Sequence, residues 1–266
     1  MTRSGVRPAP IPDQRRPRTR PPRIAVGTDG SEWGDNALDW ALRHGSLLNA
    51  SVRVYAAHAA DDQTIARRLR AYKWLHTTVT AAPEIPVHAM VTASYENDLL
   101  VIGYRGQQHG SLGLGRNVIP LILGVQCDTV VVRGEIRAVH GEHRWIAAAI
   151  GGRHDQLVLR RAVQAAVRTR SRLRLVHAAA LPAARHVEAD DPALVLERAA
   201  DVVHDLAPGL VPSLLLARSQ PHEAVRAANR SDLLVIGPGK EPNRLSVVTS
   251  TALHMAPCPV LVVKPA

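Results

Sequence analysis

Apolar and polar positions alternate in two rhythms along this chain, and the rhythms take turns. Ile24 to Thr28 is a short apolar run closed by Asp29-Gly30-Ser31. Ala37, Leu38, Ala41 and Leu42 then recur at helical spacing, with Ser31 placed to cap the helix. Ser51 to Ala57 reads as a strand, and Asp61 to Ala82 as a helix stopped by Pro83 and Pro86. Val87 to Val91 reads as a third strand, Leu99 to Ile102 as a buried strand, Gly115 to Gly124 as a helix and Thr129 to Arg133 as a last strand. The pattern then starts again. Trp145 to Ile150, Leu173 to His177, Val211 to Ala217, Leu233 to Ile236 and Val260 to Val263 are the strands. The helices between them are Gln156 to Val167, Pro192 to Leu206, Pro221 to Asn229 and Leu245 to Ala256. Strands that are apolar on both faces, separated by amphipathic helices, predict parallel sheets covered on both sides.

The second round is a copy of the first. Asp98-Leu-Leu-Val-Ile-Gly103 recurs 134 residues later as Asp232-Leu-Leu-Val-Ile-Gly237. Val52-Arg-Val54 answers to Leu173-Arg-Leu175, and Cys127 before Val130-Val-Val-Arg133 answers to Cys258 before Val260-Leu-Val-Val-Lys264. We therefore expect a tail over 1–22, one domain over 23–134, a linker over 135–142 and a second domain over 143–266. The first copy looks one element short. Only seven residues lie between Val91 and Leu99, where the second copy has a helix. Seven extended residues reach about 23 Å, barely enough for a crossover of ~14 Å sideways and ~17 Å back. The expectation is a deleted helix between the third and fourth strands, and a patch of bare sheet.

Composition narrows the function classes. The 266 residues contain no Phe and only 3% aromatics, so the cores must be aliphatic. That argues against modules that stack nucleic-acid bases on aromatic platforms. The net charge of +10 is uneven: residues 1–23 carry seven Arg and one Asp. This Arg-Pro tail has nothing to bury. It reads either as a solvated extension or as an electrostatic arm, and it is the only expected route to nucleic acid. Two Cys are too few for a disulfide framework, and no apolar run is long enough to span a bilayer. A cytoplasmic protein without membrane partners is expected. Cys127 and Cys258 stand before equivalent strands and read as small buried residues. No Ser-His-Asp, Cys-His or paired-carboxylate arrangement emerges, so turnover is not expected.

The candidate chemistry lies in glycines. Gly103-Tyr-Arg-Gly106 follows a buried strand, and Gly115-Arg116-Asn117 opens a helix. Glycine turns at the carboxyl end of a parallel strand let backbone amides approach an anion. Ile24-Ala-Val-Gly-Thr-Asp29-Gly-Ser31, the Asp98 to Gly106 segment and the Ala256-Pro-Cys258-Pro-Val-Leu-Val-Val263 ending together resemble the universal stress protein family in its tandem form. The resemblance covers about 23–134 and 143–265. It implies two doubly wound, Rossmann-like domains of the adenine nucleotide alpha hydrolase-like type, and a binding protein of the stress response. In that family ATP-binding members carry G-x2-G-x9-G-[ST]. By that resemblance, Thr28 and Asp29 would meet the adenosine, Ala57 would pack on adenine, and Gly103, Gly106 and Gly115 would cradle phosphates. Gly115 falls one residue early, and Arg116 or Asn117 stands where Ser or Thr is expected. ATP is thus the implied cofactor, with Mg only as its companion and no other metal. The second copy departs further: aligning Leu159 with Leu38 puts Ile150 at the Asp29 position, and Gly237-Pro-Gly239-Lys240 lacks the second glycine. Family domains pair through their last strands. Thr129 to Arg133 and Val260 to Lys264 are therefore expected to pair within the chain, and a homodimer is a further expectation. The alternative class is a nucleotide-free scaffold that recruits partners through the arm and the bare sheet.

Overall fold

The computed structural model describes residues 20–57, 62–82, 87–106, 113–151, 155–179, 191–220, 222–239, 241 and 243–265. The arm over 1–19 lies outside the described residues. The first round comprises β1 (Arg23–Thr28), α1 (Glu32–Leu48), β2 (Ser51–Ala57), α2 (Asp62–Arg70), β3 (Thr77–Ala82), α3 (Val87–Ser94), β4 (Leu99–Gly103), α4 (Val118–Gly124) and β5 (Asp128–Val132). A short α5 (Ile136–Val139) leads to the second round. That round comprises β6 (Trp145–Ile150), α6 (Gln156–Thr169), β7 (Arg172–Ala178), α7 (Pro192–Leu206) and β8 (Ser213–Ala217). It continues with a 3-10 helix (Glu223–Ala228), β9 (Leu233–Ile236), α8 (Val247–Met255) and β10 (Val260–Val262).

All ten strands form one sheet in the order β3-β2-β1-β4-β5-β10-β9-β6-β7-β8. Every pairing is parallel except the central one, where β10 runs antiparallel to β5 with Val260 opposite Val131 and Val262 opposite Thr129. The expected pairing of last strands is therefore present inside the chain. It turns two would-be edges into the middle of a sheet. Alternation along the strands feeds two cores, one on each face. Ile24, Val26, Ile146 and Ala148 enter the core under α1 and α6; Ala25, Leu100, Ala147 and Leu234 enter the opposite one. Both cores run through the seam. The expected linker takes part: Ala138 and Val139 of α5 are buried, one in each core.

Two predicted elements change type. The helix expected over Asp61 to Ala82 stops at Arg70, and Thr77–Ala82 pairs with β2 as an edge strand. Its Thr-Thr-Val-Thr start is β-branched, which stiffens χ1 and suits a pleated edge. The strand expected at Val87 to Val91 is instead the start of a helix that buries Met90, Ala93 and Ser94. A short apolar run cannot tell the two apart by periodicity alone. The helix between β3 and β4 is thus present, not deleted, and the seven-residue crossover is not needed. No bare patch results there, because α3 packs on β1 and β4 with Met90 beneath Gly27. The element that is short in the first copy is α2, with 9 residues against 15 in α7.

Candidate functional site

In each half the chain leaves the middle of its strand set in opposite directions, between β1 and β4 and between β6 and β9. The crevice outside the carboxyl ends of such strands is where open α/β sheets take ligands. At the first crevice β1 ends in a tight turn. Asp29 Oδ1 accepts from the Ser31 amide at 3.1 Å and from Ser31 Oγ at 2.6 Å. Ser31 Oγ in turn accepts from the Gly34 amide at 3.0 Å and so caps α1 as expected. Thr28 is buried, and its Oγ1 accepts from the Gly30 amide at 3.2 Å. It therefore braces the turn from inside.

The glycine segment folds onto this turn. A Cβ at Gly106 would collide with the Asp29 carboxylate, and one at Gly103 would stand 2.6 Å from the Trp33 backbone carbonyl. Asp29, Gly103 and Gly106 are therefore brought together, with Ala57 at the end of the neighbouring β2. Arg116 and Asn117 do not join them as expected. Both are exposed at the start of α4, and the Asn117 side chain makes no cap bond. The Gly115 amide donates to the Tyr104 carbonyl at 2.8 Å, so that donor already has a partner within the loop. Residues 107–112 of the expected phosphate loop lie outside the described residues. Asp29 and the glycine segment thus share one surface at the strand ends, while the Gly115 amide is already used within the loop.

Residues that sequence reasoning passed over gather beside the crevice. Trp33 meets Tyr104 edge-on at 4.7 Å, and the Arg105 and Arg133 guanidinium groups lie over the Tyr104 ring at 4.5 and 5.1 Å. Arg133 also donates to the Ala252 and Leu253 carbonyls of α8 at 3.2 and 2.7 Å, linking this crevice to the second half. The signal was available: in a chain with 3% aromatics, a Trp and a Tyr flank the two motif segments.

At the second crevice there is a cavity of about 970 Å³. Its walls come from the ends of β6, β7 and β9, the Gly237-Pro-Gly239 turn and the start of α8. The strand ladders also correct the sequence alignment. Ile24 pairs with Leu99, and Ile146 with Leu233, so Thr28 corresponds to Ile150 and Asp29 to Gly151. One residue is lost between this strand and its helix, which is why alignment through Leu38 and Leu159 gave Ile150. The strand end lacks an acid in either alignment. Asp155, four residues on, accepts from the Gly151 amide.

Both cysteines are buried and unpaired with each other. Burial, then the Asp128 and Asp98 charges, push the Cys127 thiol up to about 12, and burial likewise pushes Cys258 up. Among the described residues no group of three or more His, Cys, Asp or Glu could hold a metal ion. Among them, too, no helix is long and apolar enough to cross a membrane.

Comparison with known proteins agrees with this architecture. No family model matches the chain. Universal stress protein MT2087 and Universal stress protein Rv2028c of Mycobacterium tuberculosis are each 29% identical to it over 173 residues, covering 57% of this chain and 62% of theirs. The chain thus spans less than two thirds of the length of these curated relatives. A universal stress protein from Archaeoglobus fulgidus superposes with a TM-score of 0.66 at 16% identity, covering 91% of this chain and 96% of the other. A functionally unknown protein from Pseudomonas aeruginosa PAO1 gives 0.63 at 14% identity, with 91% and 92% covered. Strand order and fold likeness define an α/β protein of two Rossmann-like, adenine nucleotide alpha hydrolase-like halves. Joined to the curated relatives, they make the chain universal stress protein-like in sequence and in fold.

Proposed function

We propose that this chain is a regulatory binding protein of the universal stress protein type, which holds an adenine nucleotide at the first crevice without turning it over. The observation that supports this reading is the meeting of Asp29 with Gly106, and of Gly103 with the Trp33 backbone just beyond Asp29, from segments about seventy residues apart, at the carboxyl ends of β1 and β4. Backbone pressed against backbone there leaves the carboxylate and the glycine segment on one small surface, the arrangement that suits a nucleoside. Arg105, within the glycine segment, is the cation at hand for a phosphate, since the Gly115 amide serves Tyr104. The scaffold reading loses its stated basis in the sheet, because α3 covers the patch on which it relied.

Titration calorimetry with ATP and with adenosine tests the proposal. Binding of both is expected, with Asp29→Ala weakening each about tenfold or more, the loss of one charge-assisted contact. A phosphate-release assay should show no turnover above buffer. Undiminished ATP binding by Asp29→Ala would move the site elsewhere.

A further inference from the structure

The cavity of the second half has the place of a nucleotide site and the wrong chemistry for one. The groups that would meet a phosphate serve the protein itself. Ser246 Oγ accepts from the Thr249 amide at 3.0 Å, and the Ser246 amide donates to the Pro238 carbonyl at 2.8 Å. The Gly237 carbonyl accepts from Thr249 Oγ1 at 2.7 Å. At the rim, Arg244 is paired with Glu241 at 3.5 Å. The interior walls are aliphatic: Ile150, Val158, Ile236 and Val248 line the space. Asp155, which accepts from the Gly151 amide, stands at the lining too, and one ring interrupts the aliphatic wall. His177, at the end of β7, is 9% exposed, and its Nδ1 lies 2.7 Å from the Ile150 carbonyl. A carbonyl can only accept, so Nδ1 carries the proton and Nε2 of the neutral ring is an acceptor. Nε2 has no partner among the described residues, and the ring lines the cavity. A space of about 970 Å³ is at the upper end of the roughly 300–1,000 Å³ range of small-molecule pockets.

We propose that the second half binds a neutral, mainly apolar small molecule that donates one hydrogen bond to His177 Nε2. This site is separate from the nucleotide reading and does not depend on it. The glycine at the mouth permits it. A Cβ at Gly237 would meet only Val158 Cγ2, at an ordinary 3.6 Å. A larger side chain there would occupy the ligand's space without straining the backbone.

The probe is N-phenyl-1-naphthylamine, a neutral fluorophore with one N–H that brightens in apolar surroundings. Saturable binding to the full chain is expected. Gly237→Ala should leave it unchanged, and Gly237→Phe should weaken it about tenfold or more, as should Val248→Phe. Diphenylamine should displace the probe about three- to tenfold better than diphenylmethane, which has the same shape and no N–H donor, matching one hydrogen bond of about 0.5–1.5 kcal/mol. ATP should not displace it, and Asp29→Ala should bind it normally whatever becomes of nucleotide binding. No saturable binding, equal binding by a folded Gly237→Phe or Val248→Phe protein, displacement by ATP, or no preference for the donor would each overturn the proposal.

Discussion

The two crevices occupy the same place in two copies of one fold, and they have been filled in opposite ways. In the first, Trp33 and Tyr104 lean together and the glycines are pressed against the β1 turn. In the second, a Cβ on the matching glycine would meet only Val158, at 3.6 Å, and the strand ends line a cavity. The copy that keeps the nucleotide-type residues sets two aromatic rings beside its glycines. The copy that lost them has a cavity of about 970 Å³ at its strand ends. A cavity therefore does not require the motif residues: a motif fixes which atoms are offered, and packing of neighbouring segments fixes the space between them.

The two halves share one sheet through the β5–β10 seam, and a break there has the largest effect. Val130 and Leu261 face each other across the antiparallel pair and are 1% and 7% exposed. Val130→Asp would bury an unpaired carboxylate, at about 3–5 kcal/mol. Urea unfolding should show one transition moved to much lower denaturant, with both halves affected. Two separate transitions, with the second half untouched, would show independent units.

A smaller effect distinguishes the crevices directly. Gly103→Ala would drive a Cβ to 2.6 Å from the Trp33 backbone, whereas Gly237→Ala meets a side chain at 3.6 Å. The first should lose about 1–3 kcal/mol of stability, and the second should stay within about 0.5 kcal/mol. Equal losses would mean the first crevice is no tighter than the second.

The third effect depends on pH. α1 and α6 end alike, in left-handed residues Asn49 and Arg170. Counted back from those caps, His44 of α1 stands where α6 has Ala165. His44 stacks on Trp40 at 3.7 Å, and its Nδ1 is buried without a partner. Burial, then the Arg43 charge, push its pKa down from 6.5 to about 3. The unfolded chain therefore takes up a proton that the fold refuses. Stability present above pH 6.5 is lost as pH falls toward 3. His44→Phe keeps the stacked ring and removes the titration. Between neutrality and about pH 4.5 its stability relative to the parent should rise by roughly 2–3 kcal/mol. Parallel pH profiles would clear His44 of this role.

The duplication, the α/β class, most strand positions and the meeting of the last strands were legible in the residues. The first three rest on local pattern or on repetition, which survives without knowledge of neighbours; the meeting of the last strands followed from the family resemblance. Gly103 and Gly106 were legible because turn residues after apolar runs declare themselves, and it was the family resemblance that joined Asp29 to them. Thr77–Ala82 and Val87–Ser94 were misassigned, because a short run carries too few periods to choose between strand and helix. The alignment of Ile150 failed by one residue, since a loop deletion leaves no trace in periodicity and only the strand ladder fixes the register.

What the sequence by itself determined is the identity of the groups at each strand end: an acid and paired glycines in the first copy, aliphatics and one histidine in the second. What only the tertiary structure decided is their use. Whether Gly115 offers its amide outward or to Tyr104, and whether a strand end opens onto a cavity or an aromatic pair, depends on segments distant in the chain. Hydrogen bonds and excluded volume are settled between neighbours in space, and the chain fixes those neighbours only when it folds.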